Sequence, residues 1–330
     1  MVYCLSYRIL CLNMFIFSDE RSVSVENHIS YISDGTISYL MQQFPSHAEK
    51  WLSDFPHAIE RLKEKWQLTF KGHERNSRFG TILYAESRVY GDVAVKIVPW
   101  FCPRLKSEIE CYRSLPYREM CDLYDVDEKL GAMLLKYVEE KKDATADKAL
   151  VFSSLFEQRR PALERDYPLL YPYRSVLEDV LSNAGNVING GKDSKLSVFL
   201  PSIQKAQAAI SLFENDEKYI IHGDAHEYNM LGSENGCVLI DPLGYIAPFA
   251  FEYARYLGTA MKENEMSPDD FFRLCEKVFA GDGDIKKNLT AFAIDVTLRA
   301  CNTFIEGNTY DEILFSGSWA RRAWAYLEKL

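Results

Sequence analysis

Several sequence features that define common protein classes are absent. The sequence contains no Gly-x-x-x-x-Gly-Lys-Ser/Thr segment, which excludes a P-loop nucleotide site. It has no internal repeat and no long low-complexity tract, which excludes a solenoid and argues against extended disorder. What remains is an ordinary globular composition, 47% hydrophobic and 26% charged, in a chain of 330 residues that is long enough for two domains.

Positive charge is also scarce. The sequence has 38 basic and 48 acidic residues, for a formal net charge of -10, which argues against binding duplex nucleic acid because phosphates require basic side chains. The C-terminal part shares this acidic excess. Such a surface would attract a cationic small molecule, although a solvated acidic surface with no such role also explains it. No segment indicates an obligate protein partner.

Signals for a zinc site or a membrane segment are missing as well. The eight cysteines form no Cys-x-x-Cys pair and have no histidine at zinc-ligand spacing, which predicts free thiols in a reducing cytoplasm. The apolar residues at the start of the chain are interrupted by Arg8 and Asn13 and are fewer than the roughly 20 that a membrane span needs. We therefore expect no membrane association. Residues 1–45 are assigned to an N-terminal extension, for which Met14 or Met41 is an alternative start.

The remaining sequence divides into a β-rich part and a helical part. In residues 46–139, helical spacing predicts helices over 46–66, with Pro56 near an internal start, and over 103–115. Short apolar runs separated by turn residues predict five antiparallel strands, at 67–70, 81–85, 93–98, 121–126 and 132–138. Residues 140–330 are predicted to be mainly helical, with one hairpin between Asn229 and Asp241. Apolar spacing in this part predicts helices at 144–164, 176–184, 198–213, 248–262, 268–280, 285–305 and 310–327. The expected fold class is α+β, with a small antiparallel lobe and a larger, mainly helical lobe.

Two carboxylates and an amide follow apolar, strand-like runs of the helical part. Asp224 and Asn229 lie on one loop, and Asp241 follows the strand that returns from Asn229, so the three side chains are expected to converge. Asn and Asp oxygens suit Mg²⁺, which takes few protein ligands and binds phosphate and water at its other positions. Asp224 would then be free to accept a proton from an attacking hydroxyl. Taken singly, each residue is also typical of a turn.

Lys96 lies within the apolar strand predicted at 93–98, where an unpaired charge is costly. Glu108, in the helix that follows, is the expected partner, with Glu110 as the alternative. Alone, Lys96 is equally consistent with an outward-facing residue. Together with the cluster around Asp224, it indicates a ligand for phosphate.

The order of these residues resembles that of the kinase-like phosphotransferases. Asp-Pro-Leu-Gly at 241–244 stands where protein kinases have Asp-Phe-Gly, and His-Gly-Asp at 222–224 has glycine where they have arginine. The His-Gly-Asp form is similar to the aminoglycoside phosphotransferases and related small-molecule kinases. Further segments resemble the streptomycin 6-phosphotransferase and hydroxyurea-resistance kinase branch, namely those at 51–56, 131–135 and 251–254. The resemblance extends from about residue 46 to the end of the sequence.

The resemblance implies a protein-kinase-like two-lobe fold and a transfer of phosphate from ATP, with Mg²⁺, to a hydroxyl of a small molecule. Asp224 would be the catalytic base, and Asn229 and Asp241 would bind Mg²⁺. The residues assigned to the nucleotide are Lys96 on the α- and β-phosphates, Glu108 as its partner, and Lys136, Tyr137 and Val138 in the hinge beside adenine. The expected reaction is phosphorylation of an aminoglycoside of the streptomycin type, giving antibiotic resistance.

One departure from the family concerns the first β-turn. The loop at 72–80 has glycine only at its ends, so close backbone contact with a triphosphate is less well supported. Its polar residues, Arg75, Asn76 and Ser77, are as consistent with a solvated loop as with phosphate contacts. This departure keeps open a nucleotide-binding module of the pseudokinase type.

Three nearby residues and the substrate have alternative interpretations. His222 is expected to support the loop through hydrogen bonds, whereas His226 is assigned either to the acceptor side or to an exposed structural role. Glu252 either braces the loop or faces the substrate. A kinase for an endogenous metabolite or sugar also fits the motifs, because substrate choice depends on other side chains of the helical lobe.

Overall fold

The computed structural model describes residues 28–74, 80–140, 148–190, 194–233, 236–263, 266–279, 282–305 and 310–329. These residues belong to two compact units. One comprises the described residues up to Arg113 together with Cys121–Glu139, and the other comprises Ser114–Met120 and the described residues from Glu140 onwards. The predictions made for Arg75, Asn76 and Ser77, and for the first 27 residues of the N-terminal extension, lie outside the described residues.

Alternating apolar residues build the sheet of the first unit. Its strands are β1 (Leu68–His73), β2 (Thr81–Ser87), β3 (Gly91–Ile97), β4 (Leu123–Asp127) and β5 (Ala132–Lys136). Neighbouring strands are antiparallel, in the order β1-β2-β3-β5-β4. In β3 every second residue from Val93 to Ile97 is buried, as expected for a strand with one face on a core. The five predicted strands are confirmed, with small shifts of their ends.

The core on that face comes mostly from one long helix. The helices of this unit are α1 (Asp34–Gln43), α2 (Pro45–Trp66) and α3 (Arg104–Ser114). One stripe of α2 is buried with the sheet, at Trp51, Phe55, Ile59, Leu62 and Trp66. Pro56 was expected to mark a helix start, but α2 continues through it because Phe55 and Ile59, on either side, are anchored in the same core.

The second unit is built around helices, and only some of their bounds agree with those predicted from the sequence. They are α4 (Val151–Gln158), α5 (Tyr173–Gly190), α6 (Leu200–Ala209), α7 (Ala250–Glu263), α8 (Pro268–Val278), α9 (Ile285–Ile305) and α10 (Tyr310–Leu327). The last two match their predicted ranges. A helix predicted over 144–164 is instead the short α4, which ends before Arg160 because a residue preceding proline avoids the helical conformation. No helix of the described ranges has the length and apolar character of a membrane span.

Short strands of the second unit position its loops. The strands are β6 (Tyr171–Pro172), β7 (Tyr219–Ile221), β8 (Met230–Ser233), β9 (Gly236–Leu239) and β10 (Tyr245–Ala247). The predicted hairpin is confirmed as β8 and β9, while β10 lies between β6 and β7. The loop after β7 carries Asp224, and the segment from β9 to β10 carries Asp241. Both segments therefore start from strand ends that the sheet and the hairpin hold in place.

Candidate active site

The loop from His222 to Asn229 is tied to the segment after β9 by its first side chain. His222 Nδ1 accepts a hydrogen bond from the backbone N–H of Asp224 at 3.2 Å. Its Nε2 lies 2.9 Å from the carbonyl oxygen of Ile240, so Nε2 carries the proton and donates. The backbone N–H of Leu243 returns a bond to the His222 carbonyl at 2.9 Å. His222 therefore supports the loop, as the sequence indicated.

The Asp224 carboxylate is almost fully buried and is held at both oxygens. Arg255, on α7, donates from Nε to Oδ1. Asn229 Nδ2 donates to Oδ2 at 3.2 Å and to the Asp224 backbone carbonyl at 2.9 Å. With 3% of its surface exposed, Asp224 depends on these partners, because an ionised carboxylate is costly to bury alone.

Asn229 and Asp241 are brought together by the base of the hairpin. The Ile240 N–H donates to the Asn229 carbonyl at 3.0 Å, so Asp241 follows directly after a residue bonded to Asn229. Asp241 has a backbone φ of 58°, a left-handed conformation that few residues other than glycine adopt. Such conformations are concentrated at functional sites. The charge of Asp241 also reaches His226 on the neighbouring loop.

The donor chemistry of this pair fits Mg²⁺. Because the amide nitrogen of Asn229 is committed to Asp224, its carbonyl oxygen is the side-chain atom left to act as a ligand. Asp241 is half-buried and supplies a carboxylate. No group of three or more His, Cys, Asp or Glu side chains in the described segments forms a metal cluster. One amide and one carboxylate suit Mg²⁺, which usually keeps several water or phosphate ligands.

Glu252 braces the loop from α7. Its fully buried carboxylate accepts the backbone N–H groups of His222 at 2.6 Å and Gly223 at 3.3 Å, and the Tyr117 hydroxyl at 3.4 Å. Burial raises the pKa of Glu252 to about 7, although the two backbone donors oppose the rise. Of the two interpretations from the sequence, the structure supports the bracing role.

Gly223 is the second loop residue that packing constrains. Its φ is +73°, and a Cβ at this position would lie 2.4 Å from Cδ2 of the buried Tyr245 ring. Any side chain here would therefore be both strained and in collision with that ring. This accounts physically for the glycine between His222 and Asp224 of the His-Gly-Asp segment.

His226 is buried rather than exposed, which corrects one of its two expected placements. Its Nδ1 accepts the Tyr228 backbone N–H at 3.2 Å, so its proton is on Nε2. That Nε2 is 3.7 Å from Asp224 Oδ2 and makes no hydrogen bond within the described residues. Burial lowers the pKa of His226 to about 4, against the attraction of the Asp224 charge. The imidazole is consequently neutral at physiological pH.

Arg255 is a site residue that the motifs did not identify. It is 6% exposed and lies on the same helix as Glu252, one turn further on. Its charge also reaches Tyr173, whose hydroxyl donates to Asp295 at 2.5 Å. Two charged residues within the otherwise apolar start of α7 were the available signal, because buried charges require specific partners.

In the first unit, Lys96 and Glu108 form the predicted pair. Lys96 Nζ lies 2.5 Å from Glu108 Oε1, with 12% of the lysine side chain and 3% of the glutamate side chain exposed. Lys96 comes from β3 and Glu108 from the middle of α3. Glu110, the alternative partner, is not the residue paired with Lys96 in this contact.

The predicted hinge residues lie at the end of β5 and just after it. The Lys136 N–H donates to the Asp122 carbonyl at 2.9 Å, and the Tyr137 N–H donates to the Asp92 carbonyl at 3.2 Å. Both N–H groups are thus used within the unit. Val138 follows them and is half-buried. An adenine contact by this segment would rely on carbonyl oxygens or on Val138.

Comparison with known proteins identifies the fold. No protein-family model and no curated sequence matches the chain. A choline/ethanolamine kinase family protein from Mesorhizobium loti is 13% identical over 82% of this chain and 95% of its own, with a TM-score of 0.56. An aminoglycoside phosphotransferase from Alicyclobacillus acidocaldarius is 14% identical over 82% and 94%, with a TM-score of 0.56. The streptomycin–ATP complex of the enzyme APH(2'')-IIa is 14% identical over 81% and 95%, with a TM-score of 0.57.

These likenesses confirm the expected fold class. The chain has the α+β, protein-kinase-like fold that aminoglycoside phosphotransferases share with choline/ethanolamine kinase-like proteins. At 10–14% identity the comparison shows the fold alone, and the chemistry rests on the residues described above.

Proposed function

We propose that the protein is an ATP-dependent small-molecule kinase that phosphorylates a hydroxyl group. The observation that carries this proposal is the buried Asp224 carboxylate, fixed on one side by Arg255 and on the other by Asn229. A carboxylate held in this way can accept the proton of a bound hydroxyl, which is the acid–base work that phosphoryl transfer needs. The fold supports the same reaction class, because the similar structures include an aminoglycoside phosphotransferase and a choline/ethanolamine kinase family protein.

In this reaction the acceptor hydroxyl binds next to Asp224, which takes its proton as the oxygen attacks the γ-phosphorus of ATP. The new O–P bond forms while the bond to the β-phosphate oxygen breaks, and ADP leaves with that oxygen. Lys96, held by Glu108, binds the α- and β-phosphates. Asn229 and Asp241 would hold Mg²⁺, which neutralises phosphate charge when bound. Lys136, Tyr137 and Val138 remain our proposed hinge for adenine.

For the acceptor we propose a hydroxylated cation, with a streptomycin-type aminoglycoside as the first candidate and antibiotic resistance as its consequence. The net charge of -10 favours a cation. A specific observation also favours a second candidate, an endogenous amino alcohol or related metabolite, because the similar structures include a choline/ethanolamine kinase family protein as well as a streptomycin complex. The sequence motifs favour the aminoglycoside branch.

The proposed setting follows from the same features. We propose a cytoplasmic location, where ATP is available and thiols stay reduced, in keeping with six free, buried cysteines among the described residues. We propose no role for nucleic acid, membrane or an obligate protein partner in the reaction. Purified protein should therefore be active alone with Mg-ATP and acceptor.

The test is a turnover screen with Mg-ATP across aminoglycosides, amino alcohols, hydroxyurea and sugars, with ADP release and phosphorylated product both measured. Wild type is expected to phosphorylate at least one class, and Asp224→Asn to lose about 100-fold or more in kcat because the amide cannot take the proton. Asp54→Asn, at an exposed position on α2, is the matched control and should retain wild-type activity. Tight ATP binding without turnover on any acceptor would instead support a nucleotide-binding module of the pseudokinase type.

A further inference from the structure

The first turns of α7 contact both the backbone of the Asp224 loop and the Asp224 side chain. Glu252 accepts two backbone N–H groups, at His222 and Gly223, and so fixes the course of the chain. Arg255, three residues later on the same face, bonds the side chain of Asp224 itself. One helix therefore fixes both the loop backbone and the direction of its carboxylate.

The Arg255 contact is a buried ion pair, with 8% of the arginine side chain and 4% of the aspartate side chain exposed. Burying both charges is costly, and such a pair adds little to stability relative to an apolar pair of similar volume. Stability alone therefore gives a weak reason for an arginine at this position. Its planar guanidinium, however, restricts a carboxylate to one orientation better than a flexible single donor does.

A second buried ion pair, Asp295 with Arg299, is bonded to a tyrosine that lies within electrostatic reach of Arg255. Asp295 accepts hydrogen bonds from Tyr173 and from Arg299, both within the helical unit. Burial and Asp295 raise the pKa of the Tyr173 phenol well above its usual value, while the charge of Arg255 opposes that rise. The Arg255 charge therefore acts on this second buried polar cluster as well as on Asp224.

We propose that Arg255 is a positioning residue for the transfer reaction: it holds Asp224 Oδ1 so that the carboxylate meets the acceptor hydroxyl in one fixed orientation. This inference rests on the proposed kinase function. Without Arg255, Asp224 Oδ1 loses its charged donor while Asn229 still bonds Oδ2, so the orientation of the carboxylate is less restricted. The loss should therefore appear in the chemical step, not in the binding of ATP.

The experiment compares Arg255→Ala and Arg255→Lys with Arg174→Ala, a control at an exposed arginine of α5. With Mg-ATP and the best acceptor from the screen, Arg255→Ala is expected to lose about 100-fold in kcat while the KM for ATP stays within about two-fold of wild type. Arg255→Lys keeps the charge and should recover part of the loss. Millimolar guanidinium should raise kcat of Arg255→Ala but not of Asp224→Asn.

Wild-type kcat in a folded Arg255→Ala would overturn the inference while leaving the kinase proposal intact. If Arg255→Ala does not fold, Arg255→Lys is the deciding variant. A wild-type kcat in Arg255→Lys, together with a raised KM for ATP, would contradict the positioning role of Arg255. If wild type itself shows no turnover, the kinase proposal fails separately. In that case a double-mutant cycle with Asp224→Ala, Arg255→Ala and the double variant tests the contact between the two side chains. If the losses in Tm of the single variants add up to that of the double variant, Arg255 does not hold Asp224.

Discussion

Two buried titratable groups near Asp224, Glu252 and His226, should affect the free energy of unfolding in opposite directions as pH changes, so that it varies little with pH. Glu252 has a pKa of about 7 instead of 4.5, and His226 has a pKa of about 4 instead of 6.5. The folded state thus keeps a proton on Glu252 that the unfolded chain has lost, and lacks a proton on His226 that the unfolded chain still holds. Between pH 4.5 and 6.5 these two effects act in opposite directions.

The sign of each contribution follows from that proton difference. Glu252 makes the free energy of unfolding fall as pH rises from 4.5 towards about 7, by roughly 3 kcal/mol in total, because only the unfolded chain gives up the proton there. His226 makes it fall by a similar amount, roughly 3 kcal/mol, as pH drops from 6.5 towards about 4. In wild type the two slopes nearly cancel across the shared range.

Removing either group should reveal the other. Glu252→Gln, which keeps an acceptor for the His222 N–H, is expected to lose stability as pH falls from 6.5 to 4.5, whereas His226→Asn should lose stability as pH rises from 4.5 to 7. Urea unfolding at a series of pH values measures both profiles. Glu49→Gln, at an exposed position on α2, is the control and should follow wild type. If the Glu252→Gln profile also superimposes on wild type, the buried-carboxyl reasoning is wrong.

Two further predictions concern buried charge and backbone conformation. Lys96→Met leaves the Glu108 carboxylate buried without its lysine and should lower the free energy of unfolding, measured in urea, by about 3–5 kcal/mol. The double variant Lys96→Met with Glu108→Leu should regain a large part of this stability but no activity. An equal loss in the single and double variants would contradict this. Gly223→Ala should cost roughly 1–3 kcal/mol more than Gly91→Ala, because both positions have left-handed φ angles but only the first meets the Tyr245 ring. Equal costs for the two glycines would show that strain alone matters.

The parts of the fold that sequence predicted well are those with strong local patterns. The alternation in β3 and the run through α9 are visible in the sequence because each residue's burial follows from its place in one element. Helix α1 was not predicted, although Ser33 caps it by accepting the Thr36 N–H. Only Thr36 and Leu40 of α1 are buried, so its position depends on packing against the rest of the core, which local periodicity does not show.

The candidate site likewise contains some residues that the sequence identified and others that it did not. Asp224 and Asn229 could be predicted because one loop carries both, and Lys96 with Glu108 because a strand and the next helix bring them together. Arg255 could not, since its contact with Asp224 joins residues that are 31 positions apart and belong to no shared motif. The burial of His226 could not be predicted from the sequence either, because a short polar loop normally faces solvent.

The segment Ser114–Met120 has a consequence for how the protein could be divided or recombined. It belongs to the second unit, where Tyr117 donates to Glu252, Glu119 accepts the Leu239 N–H through its carbonyl, and Met120 forms a bridge with Leu239. The described chain therefore passes between the units three times, after Arg113, Met120 and Glu139. A fragment that starts at Glu140 would lose the Tyr117 contact with Glu252, which braces the loop of Asp224, and a neighbour of β9. Exchanging one unit with that of a protein of the same fold would accordingly need three junctions, with Ser114–Met120 kept together with the helical unit.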